Sequence, residues 1–157
     1  MKRFLAPILL LVLLFLALWE TMDDLVQREG IYYKRFTDVP FTGKTTENPQ
    51  GTFRNGKKEG LWVRYYENGQ LWYETTYKDG KWNGPWVGYY PDGQISSTGT
   101  HKDDKKVGLW VHHYKNGEIE EKGTYKDGEL DGPWVVYDEN GQISSKGTFK
   151  DGVKISD

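Results

Sequence analysis

Four tryptophans stand 24 residues apart, at Trp62, Trp86, Trp110 and Trp134, and this period constrains the chain more than any other feature. Each follows one glycine by two positions (Gly60, Gly84, Gly108, Gly132) and precedes another by seven (Gly69, Gly93, Gly117, Gly141). A further column runs through Gly56, Gly80, Gly128 and Gly152, with Asp103-Asp104-Lys105 where its missing member would fall. An aromatic column runs Phe53, Tyr77, His101, Tyr125 and Phe149. Several independent columns at one spacing mark tandem units, each too small to bury its apolar side alone and therefore stacked on its neighbours.

Within a unit the text reads as two strands and two turns. Residues 61–66 (Leu-Trp-Val-Arg-Tyr-Tyr) are rich in types that favour extended backbone, and they lead into Asn68-Gly69. The equivalents are Asp92-Gly93, Asn116-Gly117 and Asn140-Gly141. Such pairs tolerate positive φ at both central positions, which predicts type I′ hairpin turns there. The return strand, for example residues 142–149, ends in a second Asp-Gly turn such as Asp151-Gly152. The alternation predicts an all-β fold, with β-hairpin repeats forming a single elongated antiparallel meander sheet. The array spans 52–153. Residues 25–51 read as a linker and N-terminal cap, with a partial opening strand at 41–45 and a return strand at 51–56. Residues 154–157 read as a tail.

Side chains alternate along a strand, so Ile95, Ser97, Gly99 and His101 share one face, as do Ile143, Ser145, Gly147 and Phe149. A glycine inside a strand marks a place where something packs over bare backbone. The repeat tryptophans are expected to cover this column, with Thr75 the departure in the first unit. Forward strands carry aromatics on both parities, so one face is expected to be packed and the other still to show tyrosine and tryptophan. The candidate partner-binding aromatics are Tyr65, Trp72, Tyr73, Trp82 and Tyr89, of which Trp72 and Trp82 lie off the tryptophan column. The plainer reading is that both faces only hold a thin single sheet together.

Composition narrows the partners. With Gly 19, Trp 7, Tyr 11 and a mean hydropathy of −0.77, the apolar burial must come largely from aromatics. The absence of cysteine excludes a disulfide framework, a thiolate metal site, a cysteine nucleophile and an acylated lipoprotein cysteine. Lys2 and Arg3 apart, 19 basic residues stand against 23 acidic, a net of −4, which gives nucleic acid no basic patch to bind.

The N-terminus is different text. Met1-Lys2-Arg3 precedes an apolar run over residues 4–19, followed by Glu20, Asp23 and Asp24. Basic before and acidic after is the charge order of a segment whose C-terminal side is exported. Sixteen residues make roughly 24 Å of helix, against a hydrocarbon core of about 30 Å. Residues 1–24 are therefore expected to be a signal anchor, or else a cleaved signal peptide or a buried apolar helix. The first two place the repeats in the cell envelope, outside the cytoplasmic membrane.

Catalytic singularity is missing. His101, His112 and His113 cluster with Asp103 and Asp104, but each occupies an ordinary repeat column, so no metal site is expected. Ser96, Ser97, Ser144 and Ser145 recur as strand residues, whereas a nucleophile is singular and sits on a strained turn. Asp79, Asp127 and Asp151 are turn residues. No enzyme activity and no cofactor are expected.

The units Gly84-Pro-Trp-Val-Gly-Tyr-Tyr-Pro-Asp-Gly-Gln and Gly132-Pro-Trp-Val-Val-Tyr-Asp-Glu-Asn-Gly-Gln, each leading to a Thr-aromatic-Lys-Asp, resemble the bacterial MORN-repeat variant, whose members are commonly labelled YwqK-like antitoxins. The resemblance covers roughly residues 41–157. It implies a hairpin-repeat sheet that binds proteins or membranes, with no catalytic residues to carry over. The export-like N-terminus departs from a cytoplasmic antitoxin and fits an immunity-like or scaffold role at the envelope. The expected partner is thus a protein, which could be a toxin, with membrane contact through the N-terminal segment. Carbohydrate or peptidoglycan binding through exposed aromatics is the alternative.

Overall fold

In the computed structural model, which describes residues 19–157, the aromatic and β-branched stretches form strands, and the paired turn residues join them. The N-terminal part holds β1 (Trp19–Glu20), a 3-10 turn (Met22–Asp24), β2 (Leu25–Arg28), β3 (Ile31–Lys34), β4 (Gly43–Thr45) and β5 (Gln50–Arg54). The repeats supply β6 (Lys57–Tyr65), β7 (Leu71–Lys78), β8 (Lys81–Tyr89) and β9 (Ile95–Lys102). They continue with β10 (Lys105–His113), β11 (Ile119–Lys126), β12 (Glu129–Tyr137) and β13 (Ile143–Lys150), and β14 (Val153–Ser156) follows. From β4 to β14 the order in space is the order in sequence, and each strand is antiparallel to the next. The meander expected from the period of 24 is the architecture that forms.

Three features depart from the expected single meander. β1 pairs with β4 in parallel, Trp19 opposite Lys44. β2 and β3 form a separate two-stranded hairpin. The expected tail is largely strand, because once Asp151-Gly152 reverses the chain the following backbone groups find partners along β13. The N-terminal apolar helix expected within residues 4–19 lies outside the described residues, except for Trp19, which stands in β1.

The two turn columns exchange roles relative to expectation. Asn68, Asp92, Asn116 and Asn140 do not have positive φ; only the glycine after each does. Tyr66 N donates to the Gln70 carbonyl (2.8 Å) and Gly69 N to the Tyr66 carbonyl (3.0 Å), closing a three-residue loop with one left-handed glycine. The Asn68 side chain accepts from Gln70 N (3.0 Å), which is why an Asx residue stands there. Both central residues are left-handed instead at Asn55-Gly56, Asp79-Gly80, Asp103-Asp104, Asp127-Gly128 and Asp151-Gly152. Two-residue loops demand that conformation.

Packing has a period of 48, twice that of the tryptophans. Trp62 and Trp110 are buried, and their indole N–H groups donate to the Thr52 and Thr100 carbonyls (3.2 and 3.1 Å). Each lies on a glycine of the preceding strand: a Cβ on Gly51 or Gly99 would fall 2.2 Å from the ring. Lys58 and Lys106 cover the same rings at 4.4 and 4.3 Å. Trp86 and Trp134 are half-buried and donate instead to Ser97 Oγ (3.1 Å) and Glu121 Oε1 (2.9 Å). The alternation is written in the preceding dipeptide, Gly-Leu for the first pair and Gly-Pro for the second. Proline pushes the residue before it away from helical backbone. Accordingly φ is +71 and +68 at Gly60 and Gly108, but +137 and +132 at Gly84 and Gly132. Tryptophan cover of the glycine column therefore holds closely at Gly51 and Gly99. Gly123 meets Leu130 before Trp134, and Gly147 meets the Lys154 stem.

The principal core sits at the N-terminal end, where Leu25, Phe53, Trp62 and Tyr77 are buried, with Met22, Tyr32, Phe41 and Trp82 against them.

Candidate functional site

The sheet presents two unlike faces. One carries an aromatic row that crosses the strands from Phe53 through Trp62, Tyr77, Trp82 and His101 to Trp110, with ring centroids 4.8–6.3 Å apart. Phe53 is covered in turn by Tyr32 and Phe41. Burial raises the Tyr77 hydroxyl to about 12, keeping it neutral, and lowers the Lys58 ammonium, with the Arg64 charge adding to the latter. A cavity of about 310 Å³ opens where the β2–β3 hairpin meets this face, lined by Gln27, Tyr32, Lys58, Tyr77, Trp82 and Asp104. Asp104 Oδ1 is engaged there by the Trp82 backbone N–H (2.8 Å).

The opposite face is open. Leu61, Leu109, Pro85 and Pro133 point away from the aromatic row, since each precedes a repeat tryptophan. All four are exposed, the leucines 60% and 58%. They recur on every second strand, opposite Thr76, Thr124, Thr100 and Thr148 in the same order, as the register dictates. Beside this ridge runs a half-buried valine column, Val63, Val87, Val111 and Val135. A ridge of this kind is legible in the sequence as the residue before each tryptophan, but only the burial pattern shows that none of the described residues covers it.

The five candidate aromatics scatter between these surroundings. Trp82 and Tyr73 belong to the packed side: Trp82 sits 4.9 Å from His101, and Tyr73 stacks on Trp86 at 4.7 Å. Trp72 is 40% exposed, but Tyr66 stacks on its ring (5.4 Å) and the Arg64 guanidinium lies over it (4.7 Å). Tyr89 donates its hydroxyl to Glu74 (3.1 Å). Tyr65 is held through its backbone, whose N–H and carbonyl both bond the Asn48 amide (3.0 and 2.7 Å). Trp72 and Tyr73 meet edge to face at 5.7 Å, but these aromatics do not form one platform.

Several polar groups on the sheet have structural tasks. Ser97 and Glu121 receive indole N–H groups, and Glu74 receives a phenol. His101 is part of the aromatic row, between Trp82 and Trp110.

Comparison with known proteins gives one family. The model of the MORN repeat variant matches residues 58–79, 82–103, 106–127 and 130–151, more than half of the chain. No curated protein matches. Among solved structures, similarity is found to the crystal structure of a mutant of S. aureus TarM in complex with fondaparinux, alpha-GlcNAc-glycerol and UDP. The identity is 9% over 99% of this chain and 25% of that one, with a TM-score of 0.33. This chain thus spans about a quarter of the chain it resembles.

Proposed function

The chain belongs to the MORN repeat variant family, and on that premise we propose a non-enzymatic binding module, anchored in or exported to the cell envelope, whose partner is another protein. Repeats of this kind are often protein- or membrane-binding modules. The observation that carries the reading is the uncovered ridge of Leu61, Pro85, Leu109 and Pro133. Exposed apolar side chains recurring in register on every second strand, with the valine column beside them, make this face the candidate docking surface. The structural employment of Ser97, Glu74 and Glu121 supports the absence of catalysis. The charge order around residues 4–19 supports the export part of this reading.

Photocrosslinking groups placed at Leu61 and Leu109 in the full chain are expected to capture one and the same protein in cells. Leu61→Asp with Leu109→Asp should lower its affinity about tenfold or more. Capture from Lys115, at the hairpin end, with none from the ridge would refute the assignment. A reporter fused after Asp157 reads location, and a cytoplasmic signal would remove the envelope part of the proposal. An antitoxin or immunity role is the narrower form. It requires that loss of the protein harm growth only while a particular neighbouring gene is intact. Sugar binding finds less support, because the Trp72 ring already carries Tyr66 and Arg64.

A further inference from the structure

The cavity under the β2–β3 hairpin holds two polar groups that the chain leaves without partners. Lys58 extends across the packed face, its Nζ 4.4 Å from the centre of the Trp62 ring and 5.0 Å from that of Tyr77. Aromatic rings attract an ammonium but do not replace a counter-ion. Among the described residues no carboxylate pairs with Lys58. Burial lowers its pKa, and the Arg64 charge adds to the effect. The second group is the Trp82 indole N–H, which is buried beside the same cavity and donates no well-formed hydrogen bond. It comes close enough to the Tyr77 hydroxyl only to oppose the rise in that group's pKa. A buried donor left unpaired is costly, which points to an acceptor from outside the chain.

The packing period of 48 supplies an internal comparison. Lys106 repeats the Lys58 geometry, its Nζ 4.3 Å from the Trp110 ring centre and 5.0 Å from that of Tyr125. There the chain provides its own anion: the Glu121 charge opposes the effect of burial on Lys106. The position equivalent to Glu121 in the first site holds Tyr73, and the position equivalent to Trp82 in the second holds Leu130. One site thus has a carboxylate and no indole N–H, the other an indole N–H and no carboxylate.

The walls define what else the missing group brings. Tyr32, Tyr77 and Trp82 present rings, and burial keeps both tyrosine hydroxyls neutral, with Tyr77 raised to about 12. Asp104 also lines the cavity, so one lysine against one aspartate leaves no surplus charge for a dianion such as a phosphate monoester. The volume of about 310 Å³ lies at the lower end of the range for small-molecule sites.

We propose that this cavity binds a small organic monocarboxylate with a flat apolar body, its carboxylate held by Lys58 and the Trp82 indole N–H and its body flanked by the Tyr32, Tyr77 and Trp82 rings. A cation and an N–H donor converging on one carboxylate make charge-assisted bonds of the strong kind. The site lies on the packed face, away from the exposed ridge, and so stands whether or not the ridge docks a protein.

Phenylacetate is a suitable probe, with 2-phenylethanol as its uncharged counterpart. The full chain, labelled with nitrogen-15 at its tryptophans, gives one indole N–H resonance for each of Trp 7, and the Trp82 resonance is the one lost in Trp82→Leu. That resonance is expected to shift saturably with phenylacetate, and the alcohol to bind at least tenfold more weakly. Lys58→Met, which keeps an unbranched stem over the Trp62 ring, should weaken phenylacetate at least tenfold, whereas Lys106→Met should change it less than twofold. A Trp82 resonance that ignores phenylacetate, or that follows acid and alcohol alike, overturns the proposal. Equal loss in both lysine variants overturns the assignment to this site. The comparison of acid with alcohol uses the unaltered chain, so it decides even if Lys58→Met disturbs the fold. A pentapeptide ending in a free phenylalanine carboxylate that binds more tightly than phenylacetate would overturn the small-molecule assignment.

Discussion

Gly99 has its α-carbon against the Trp110 ring, and an added methyl would fall 2.2 Å from ring carbons. Neither the indole, fixed to the Thr100 carbonyl, nor the strand backbone can withdraw. Gly99→Ala is therefore expected to destabilise the fold by about 2–3 kcal/mol, as overpacking does, read as a lower urea midpoint. At the neighbouring column position, His101 lies in the aromatic row, where burial lowers its imidazole pKa, Lys106 adds to the effect and Asp104 opposes it. The native state thus refuses a proton that the unfolded chain accepts near pH 6.5. The stability contributed by the neutral ring is full above that value and declines as pH falls below it. Urea midpoints should drop on going from about pH 7.5 to 5.5, and less so in His101→Tyr, which restores the column's usual residue. His112, shifted the same way by burial, will keep part of the slope.

Between elements, the units are stitched at intervals of 23 residues along the hairpin end. Tyr66, Tyr90 and Tyr114 donate their hydroxyls to the carbonyls of Tyr89, His113 and Tyr137 (2.8, 2.6 and 2.8 Å). Asn68 and Asn116 add amide bonds to the Pro91 and Glu139 carbonyls (2.9 and 3.1 Å). Asp92 occupies the same column and shapes its own turn, accepting from Gln94 N (3.0 Å), but a carboxylate has no N–H to pass on. Asp92→Asn should supply the missing bond, to the Lys115 carbonyl, and stabilise the array by about 0.5–1 kcal/mol. Thermal denaturation of the single variant against Asn116→Asp, which makes the reverse change, checks both signs. The period of 24 made these columns visible in the sequence. Their partners were not visible, because each bond joins a side chain to backbone of the next unit, and backbone has no sequence signature. The turn types differ from those expected for a related reason: Asn-Gly and Asp-Gly suit both loop lengths, and hydrogen bonding across the strand ends decides between them.

Taken whole, the molecule is a one-dimensional array with a strongly buried end and a thin one. Leu25, Phe53, Trp62 and Tyr77 are buried under the N-terminal segment, whereas β14 is exposed along its length. Stability in such arrays is a sum of unit and interface contributions, so it should not be uniform. Hydrogen exchange is expected to show the slowest amides in β5–β7 and progressively faster ones toward β13 and β14; uniform protection would contradict that gradient.

Repeat number, strand order and the all-β class follow from the tryptophan and glycine columns alone, because each unit can bury its aromatics only against its neighbours. The same columns show why Ser97, Glu121 and His101 have structural work. Other properties needed the tertiary structure. The residues of β2 and β3 lack the repeat pattern, and their role as a lid over Phe53 arises from contacts distant in the chain. Which face is left uncovered, and that Tyr73 and Trp82 lie on the packed side while Trp72 stays partly exposed, also depended on packing. Parity assigns side chains to opposite faces, but the bulges in every forward strand, and the lid, decide which face is dry.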